Sequence, residues 1–190
     1  MSRLPRFQFP GALYHVTARA NAGAALFRDD ADCAAFMAVL GRVVERHGWE
    51  CHLHCLLGTH YHLLVRTSDG DLAAGMHRLN WFYARSFNGR HGTVGHVFQD
   101  RYHSVLVQTE PHLRELVRYI SLNPVRAGIC AEPAEWPWSS YAELVGLDPA
   151  PSLPVSSWLL GQFGHDPRRA RERVREFVEA PLPVEAAAAR

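Results

Sequence analysis

The sequence predicts an α+β fold built on an antiparallel sheet, and three observations predict it. Segments of alternating polarity recur at residues 12–20, 49–57, 60–67 and 103–108. Segments of helical periodicity fall between and after them, in the order strand, helix, strand, strand, helix, strand, helix. A two-residue link, Gly58-Thr59, joins the middle strands and makes them an antiparallel hairpin.

Residues 12–20 alternate as a strand around Tyr14, Val16 and Ala18. Residues 29–47 read as a helix, with acids at the start, a stripe of Phe36, Val39, Leu40 and Val43, and Gly48 as its stop. The hairpin strands follow at 49–57 and 60–67. Residues 71–88 read as a second helix, opened by Asp71 and closed by Gly89. Residues 92–95 are loop, and 103–108 the fourth strand. Residues 110–122 read as a third helix, stopped by Asn123-Pro124. This order is the split βαβ, or ferredoxin-like, arrangement, with a helix after the fourth strand. Further on, residues 136–141 read as a turn entering a short helix. Pro149, Pro151 and Pro154 mark a boundary, dividing a body of residues 1–148 from a helical appendage of 149–190. In that appendage residues 168–178 form a solvated, charged helix, and 185–190 fray.

The composition is globular: 190 residues, 47% hydrophobic and 21% charged. No apolar run is long enough to span a membrane, and the first residues lack a secretion signal, so a cytoplasmic protein without membrane association is expected. Four cysteines without framework spacing suit a reduced compartment. Lysine is absent. Residues 1–128 hold 14 Arg against 10 acids (+4), and residues 129–190 hold 6 against 9 (−3). A mildly basic body permits a phosphate-bearing partner without demanding one.

Histidine, with 12 residues, is the unusual component. Strand alternation puts His15 and Arg19 on one face of the first strand, His52 and His54 on one face of the second, and His60, His62 and Arg66 on one face of the third. If the apolar faces pack on the first two helices, the opposite face gathers five His and two Arg, which core packing does not select. About one H-x-H triplet is expected by chance at this His content; the chain has two, His52-Leu53-His54 and His60-Tyr61-His62. Residues two apart on a strand are about 7 Å apart, so two imidazoles can converge on one ion and leave positions open. On the third helix, Leu113, Leu116, Val117 and Ile120 form the buried stripe, and His112, Glu115, Tyr119 and Asn123 a second stripe along the flank. That flank offers a hydroxyl nucleophile with an oxygen ligand one turn away. Each of these residues alone is ordinary surface or core-edge chemistry; the combination is not. A zinc site at Cys51-His52-Leu53-His54-Cys55 is disfavoured, because alternation sends the Cys and His to opposite faces.

Longer motifs run across residues 11–144. They are Tyr14-His15-Val16-Thr17-x-Arg19, Leu57-Gly58-Thr59-His60-Tyr61-His62-Leu63-Leu64 and Phe98-Gln99-Asp100-Arg101-Tyr102. They continue as Tyr119-Ile120-x-Leu122-Asn123-Pro124-Val125-Arg126-Ala127-Gly128 and Trp138-Ser139-Ser140-Tyr141. With these motifs the chain resembles the HUH single-tyrosine transposases, in particular the REP-associated tyrosine transposases. It departs from them in carrying Leu57-Gly58-Thr59 where relatives carry Met-Pro-Asn, and in the bulk of Tyr61. The resemblance implies a metal-dependent endonuclease and strand transferase acting on single-stranded, hairpin-forming DNA. It selects His60 and His62 over the other H-x-H pair. It makes Tyr119 the nucleophile that forms a 5′-phosphotyrosine, and Asn123 the third ligand of a divalent metal. Two His ligands suit Mn²⁺ as well as Mg²⁺; no small-molecule cofactor is implied.

Arg19, Arg66, Arg101, His103 and Arg126 are candidate DNA contacts, and His15, His52, His54 and Glu115 candidate accessory groups. Trp81, Phe82 and Tyr83 are candidates for base stacking, with at least two expected in the core. The competing reading is a non-catalytic single-stranded nucleic-acid-binding module on the same fold. Monomer and homodimer are both compatible with the sequence.

Overall fold

A computed structural model of the chain describes residues 8–147, 153 and 157–181. The expected boundary at 148/149, its three prolines and the frayed end at 185–190 lie outside the described residues. Four strands, β1 (Leu13–Arg19), β2 (Glu50–Leu57), β3 (His60–Arg66) and β4 (His103–Leu106), form one sheet in the order β2-β3-β1-β4. Every pair is antiparallel. The helices α1 (Asp30–His47), α2 (Leu72–His91) and α3 (Glu110–Ser121) fall where the split βαβ order requires. Four more follow: α4 (Asn123–Arg126), α5 (Tyr141–Leu144), α6 (Ser157–Gly161) and α7 (Pro167–Glu179).

The helix ends follow local chemistry, with one departure from expectation. Asp29 caps α1 by accepting the Asp32 N–H at 3.0 Å, and Gly48 closes that helix in the left-handed region. α2 runs through Gly89 and stops at Gly92, whose φ of +61° is the left-handed turn that ends a helix. α3 ends at Ser121, just before Asn123-Pro124 as expected, and a separate short helix follows. Pro124 occupies the first turn of α4, where its missing N–H has no partner to lose.

The sheet is covered on both faces. Tyr14, Val16, Ala18, Tyr61, Leu63 and Val65 pack on α1 and α2 through Phe36, Leu40, Met76 and Tyr83. On the other face Leu13, Leu53, Cys55, Leu57 and Leu64 pack with Leu113, Val117 and Ile120 of α3 and with Ala170, Val174 and Val178 of α7. α7 therefore contributes an apolar stripe to this second core, and only its outer face is the solvated, charged surface expected.

A β-bulge decides which β2 side chains meet which layer. The β2–β3 register shifts between Cys51 and Leu53. Cys51 lies opposite Val65 on the α1–α2 side, whereas beyond the bulge Leu53, Cys55 and Leu57 lie opposite Leu64, His62 and His60. One extra residue reverses the direction of every side chain after it. The alternation expected for β2 is corrected accordingly, and His54, opposite Leu63, turns to the α1–α2 layer.

The outer edge of β2 is paired by residues 138–140, beyond the turn expected there. Leu56 N–H donates to the Trp138 carbonyl at 2.9 Å, Ser139 bridges to Cys55, and Ser140 N–H donates to the His54 carbonyl at 3.1 Å. Trp136 Nε1 adds a 2.7 Å bond to the Leu56 carbonyl. An exposed strand edge is a template for aggregation, and this segment covers it.

Candidate active site

The tight turn at Gly58-Thr59 starts β3 at His60, so His60 and His62 project from the end of the strand towards α3. Register places Thr17 opposite both His62 and His103, and Arg19 opposite His60. α3 crosses this face and sets Tyr119 over it. The Tyr119 ring stands edge-on to His62 at 5.4 Å and to His15 at 6.1 Å between centroids. His15 and His62 stack at 5.2 Å and share a 3.0 Å hydrogen bond between His15 Nε2 and His62 Nδ1. The His60 ring meets His62 edge-on at 5.1 Å, and its Nδ1 is bonded to the Thr59 hydroxyl at 3.0 Å. Tyr61, between the two His, points to the opposite layer, where its hydroxyl donates to Asn80 Oδ1 at 2.7 Å. Its bulk is absorbed by the α1–α2 core and leaves the His pair alone.

The α3–α4 junction adds two groups. Asn123 is buried, and its Nδ2 donates to the Tyr119 carbonyl at 3.0 Å. The Arg126 guanidinium lies 5.4 Å from the centre of the Tyr119 ring. The phenol is thus framed by two imidazoles and a cation, and stays partly open to solvent.

Burial keeps the imidazoles neutral. His62 is held down to about 3, mainly by burial and further by His15, His60 and Arg19. His15 falls to about 4, by burial and then by His103 and His112. His60 is lowered by burial and by Arg19. A neutral imidazole keeps one lone pair for a metal or a proton.

The donor set fits a divalent cation with open positions. His62 Nε2 is buried and has no hydrogen-bond partner among the described residues, an arrangement that costs free energy unless something completes it. The His60 and His62 rings, 5.1 Å apart between centroids, offer imidazole nitrogens of the kind Mn²⁺ accepts, and Asn123 one turn past Tyr119 carries a carboxamide oxygen. No group of three or more His, Cys, Asp and Glu placed to hold a metal occurs among the described residues. The closed zinc arrangement of Cys51 to Cys55 is therefore not formed.

Other expected residues separate from this centre. His54 is on the other layer, fully enclosed. His52, at the bulge, packs on Trp158 with centroids 4.6 Å apart, and its Nε2 lies 3.3 Å from Glu50. Arg66 is engaged by Glu50 at 3.3 Å and lies 3.8 Å from the Trp158 ring centre, so it serves the sheet's far end. Glu115 is exposed, with Arg118 at 4.0 Å as its ion-pair partner. Arg19 and His103 remain beside the centre, whereas Arg101 lines a separate groove against α2. Of Trp81, Phe82 and Tyr83 only Tyr83 is core; Trp81 and Phe82 are 48% and 39% exposed, which corrects the expectation of two buried. Sequence reasoning ranked His15 as an accessory and did not single out Thr59. For His15 the signal was present in its strand face; its pairing with His62 needed the register.

The chain shares its fold with a REP-associated tyrosine transposase solved bound to a REP hairpin. The TM-score is 0.68 at 18% identity, over 83% of this chain and 94% of that one. Two other solved structures score lower. A candidate transposase from Deinococcus radiodurans R1 gives a TM-score of 0.43 at 16% identity, over 63% of this chain and 95% of that one. The tRNA(His) guanylyltransferase of Saccharomyces cerevisiae gives 0.46 at 10% identity, over 93% and 85%. No protein-family model matches the chain, and no curated protein matches its sequence.

Proposed function

We propose that this chain cleaves and rejoins single-stranded DNA beside a hairpin by transesterification, with Tyr119 as nucleophile. The observation that carries the reading is the placement of the Tyr119 phenol against the His62–His15 pair, at an opening flanked by His60, Arg19 and Arg126. The shared fold of a transposase solved with a DNA hairpin supports the substrate class.

In this reading the Tyr119 oxygen attacks a backbone phosphorus as its proton passes to an acceptor. A bond forms from phosphorus to the tyrosine oxygen, the bond to the 3′-oxygen breaks, and that oxygen takes up a proton from water to leave as a hydroxyl. The 5′-phosphotyrosine conserves the bond energy, so a 3′-hydroxyl can reverse the step and join strands without a nucleotide cofactor. Neutral His15 and His62 are placed to orient the phenol, and Arg19 and Arg126 to hold the anionic backbone. His60, His62 and Asn123 would hold Mg²⁺ or Mn²⁺, which when bound supplies positive charge against the phosphate oxygens. For His62 to act through Nε2, its Nδ1–H must donate to His15 Nε2, so His15 fixes the tautomer.

The test incubates the full chain with labelled DNA hairpins bearing single-stranded flanks, in Mg²⁺ or Mn²⁺, and resolves covalent adducts on a denaturing gel. An adduct is expected, lost in Tyr119→Phe and in excess chelator. Metal-dependent cleavage with no adduct would instead make the protein a hydrolase. Binding without cleavage in either metal would make it a non-catalytic module.

A further inference from the structure

The solvent side of α2 carries features that its packing role does not require. Leu72, Met76, Leu79, Tyr83 and Phe87 are its buried stripe. On the opposite side Trp81 and Phe82 are exposed and meet edge-on at 4.7 Å between centroids. Exposed neighbouring aromatics on a helix are uncommon unless they meet a partner. Both are flanked by cations: Arg85 lies 5.6 Å from the Trp81 ring centre, and Arg78 lies 5.7 Å from that of Phe82. Arg78, Arg85 and Arg101 form no salt bridge among the described residues.

Trp81 and Arg85 form one wall of an open groove of about 700 Å³ whose other wall is the segment from His96 to Arg101. Asp100 is its one carboxylate, against Arg85, Arg101 and the imidazoles of His77 and His96. The groove wall is tied to the sheet beside the candidate active site. Gln99 N–H donates to the Arg19 carbonyl at 3.0 Å, and Phe98 bridges to Ala20. Arg19 itself lies opposite His60 in the register. Arg101 lines the groove, and two residues later His103 stands opposite Thr17, which lies opposite His62 on its other side.

We infer that this groove is a track for a single-stranded DNA segment adjoining the phosphate at Tyr119. A base stacks on Trp81, and Arg85 and Arg101 hold the backbone as it passes the sheet edge. A flat aromatic beside unpaired guanidinium groups is the chemistry that holds single strands without reading their sequence. The inference rests on the proposed function for its direction, though the groove can be tested without chemistry.

The experiment measures binding of a fluorescent oligothymidylate of about 12 nucleotides, a length typical of such sites, to the full chain by anisotropy over a range of salt. Trp81→Ala is expected to weaken binding by about 5- to 100-fold, with Trp81→Phe retaining most of it. Arg85→Ala and Arg101→Ala should each flatten the dependence of log affinity on log salt by about 0.7. Wild-type affinity in Trp81→Ala and Arg101→Ala overturns the inference. So does a Trp81→Ala variant that changes oligomeric state in sedimentation yet binds DNA normally, which would give the face to a second copy of the chain. The adduct assay on the same variants separates the two readings. A Tyr119 adduct with unaffected binding in the groove variants sinks the groove alone; no adduct with weakened binding in Trp81→Ala sinks the catalytic reading alone.

Discussion

His15 and His54 show how one residue type takes two jobs in one sheet. His15 shares its hydrogen bond with His62, so its removal acts on the proposed metal ligand at one remove. His15→Ala is expected to weaken Mn²⁺ binding about 10- to 100-fold, measured by calorimetry on the otherwise intact protein, with His15→Gln restoring part of it. His54 is enclosed in the α1–α2 layer, and burial depresses it from 6.5 to about 4. Between those pH values the unfolded chain holds a proton that the folded chain does not. Stability from this group is therefore full above pH 6.5, falls as the pH drops towards about 4, and does not fall further below that. The span corresponds to a loss of about 3 kcal/mol. Urea titrations across that window should show the slope, and His54→Gln should reduce it. The sequence made both residues visible as histidines on a strand and could not say that they face opposite layers.

At the scale of the element, α2 is docked through a glycine. A Cβ at Gly75 would stand 2.1 Å from the Trp49 ring, and Trp49 is itself held by its Nε1 bond to Asp71 at 2.7 Å. Gly75→Ala is expected to destabilise the protein by about 1–3 kcal/mol or more, read as a lower denaturation midpoint. The strands and helices were legible from periodicity, because each runs long enough for its apolar stripe to repeat. The bulge in β2 was not. Trp49, Cys51, Leu53 and Cys55 alternate with Glu50, His52 and His54 without a break, so the polarity pattern gives no sign of the change of phase that the register shows. The end of α2 was misplaced for a related reason. Gly89 and Gly92 are both permitted stops, and only the backbone shows that the second one turns left-handed.

Across the whole molecule, the candidate site depends on a core that lies behind it. α3 carries Tyr119 on one flank and Leu113, Val117 and Ile120 on the other, where α7 adds Val174 and Val178. Arg118 ties the two helices, its Nε donating to the Phe177 carbonyl at 2.8 Å with its guanidinium 4.0 Å from the Phe177 ring centre. Val174→Ala, which leaves a cavity in that core, should cost about 2 kcal/mol in thermal unfolding and lower adduct formation only as far as the folded population falls. By itself the sequence determined the element order and the split βαβ class, and its motifs singled out His60, His62, Tyr119 and Asn123 as the set proposed here. It could do so because these are written in local periodicity and short motifs. Only the tertiary structure decided that His15 joins this set while His52, His54 and Arg66 leave it, and that Trp81 and Phe82 face solvent. Those outcomes turn on strand register, one inserted residue in β2 and the rotation of α2. Each is fixed by contacts between residues far apart in the chain.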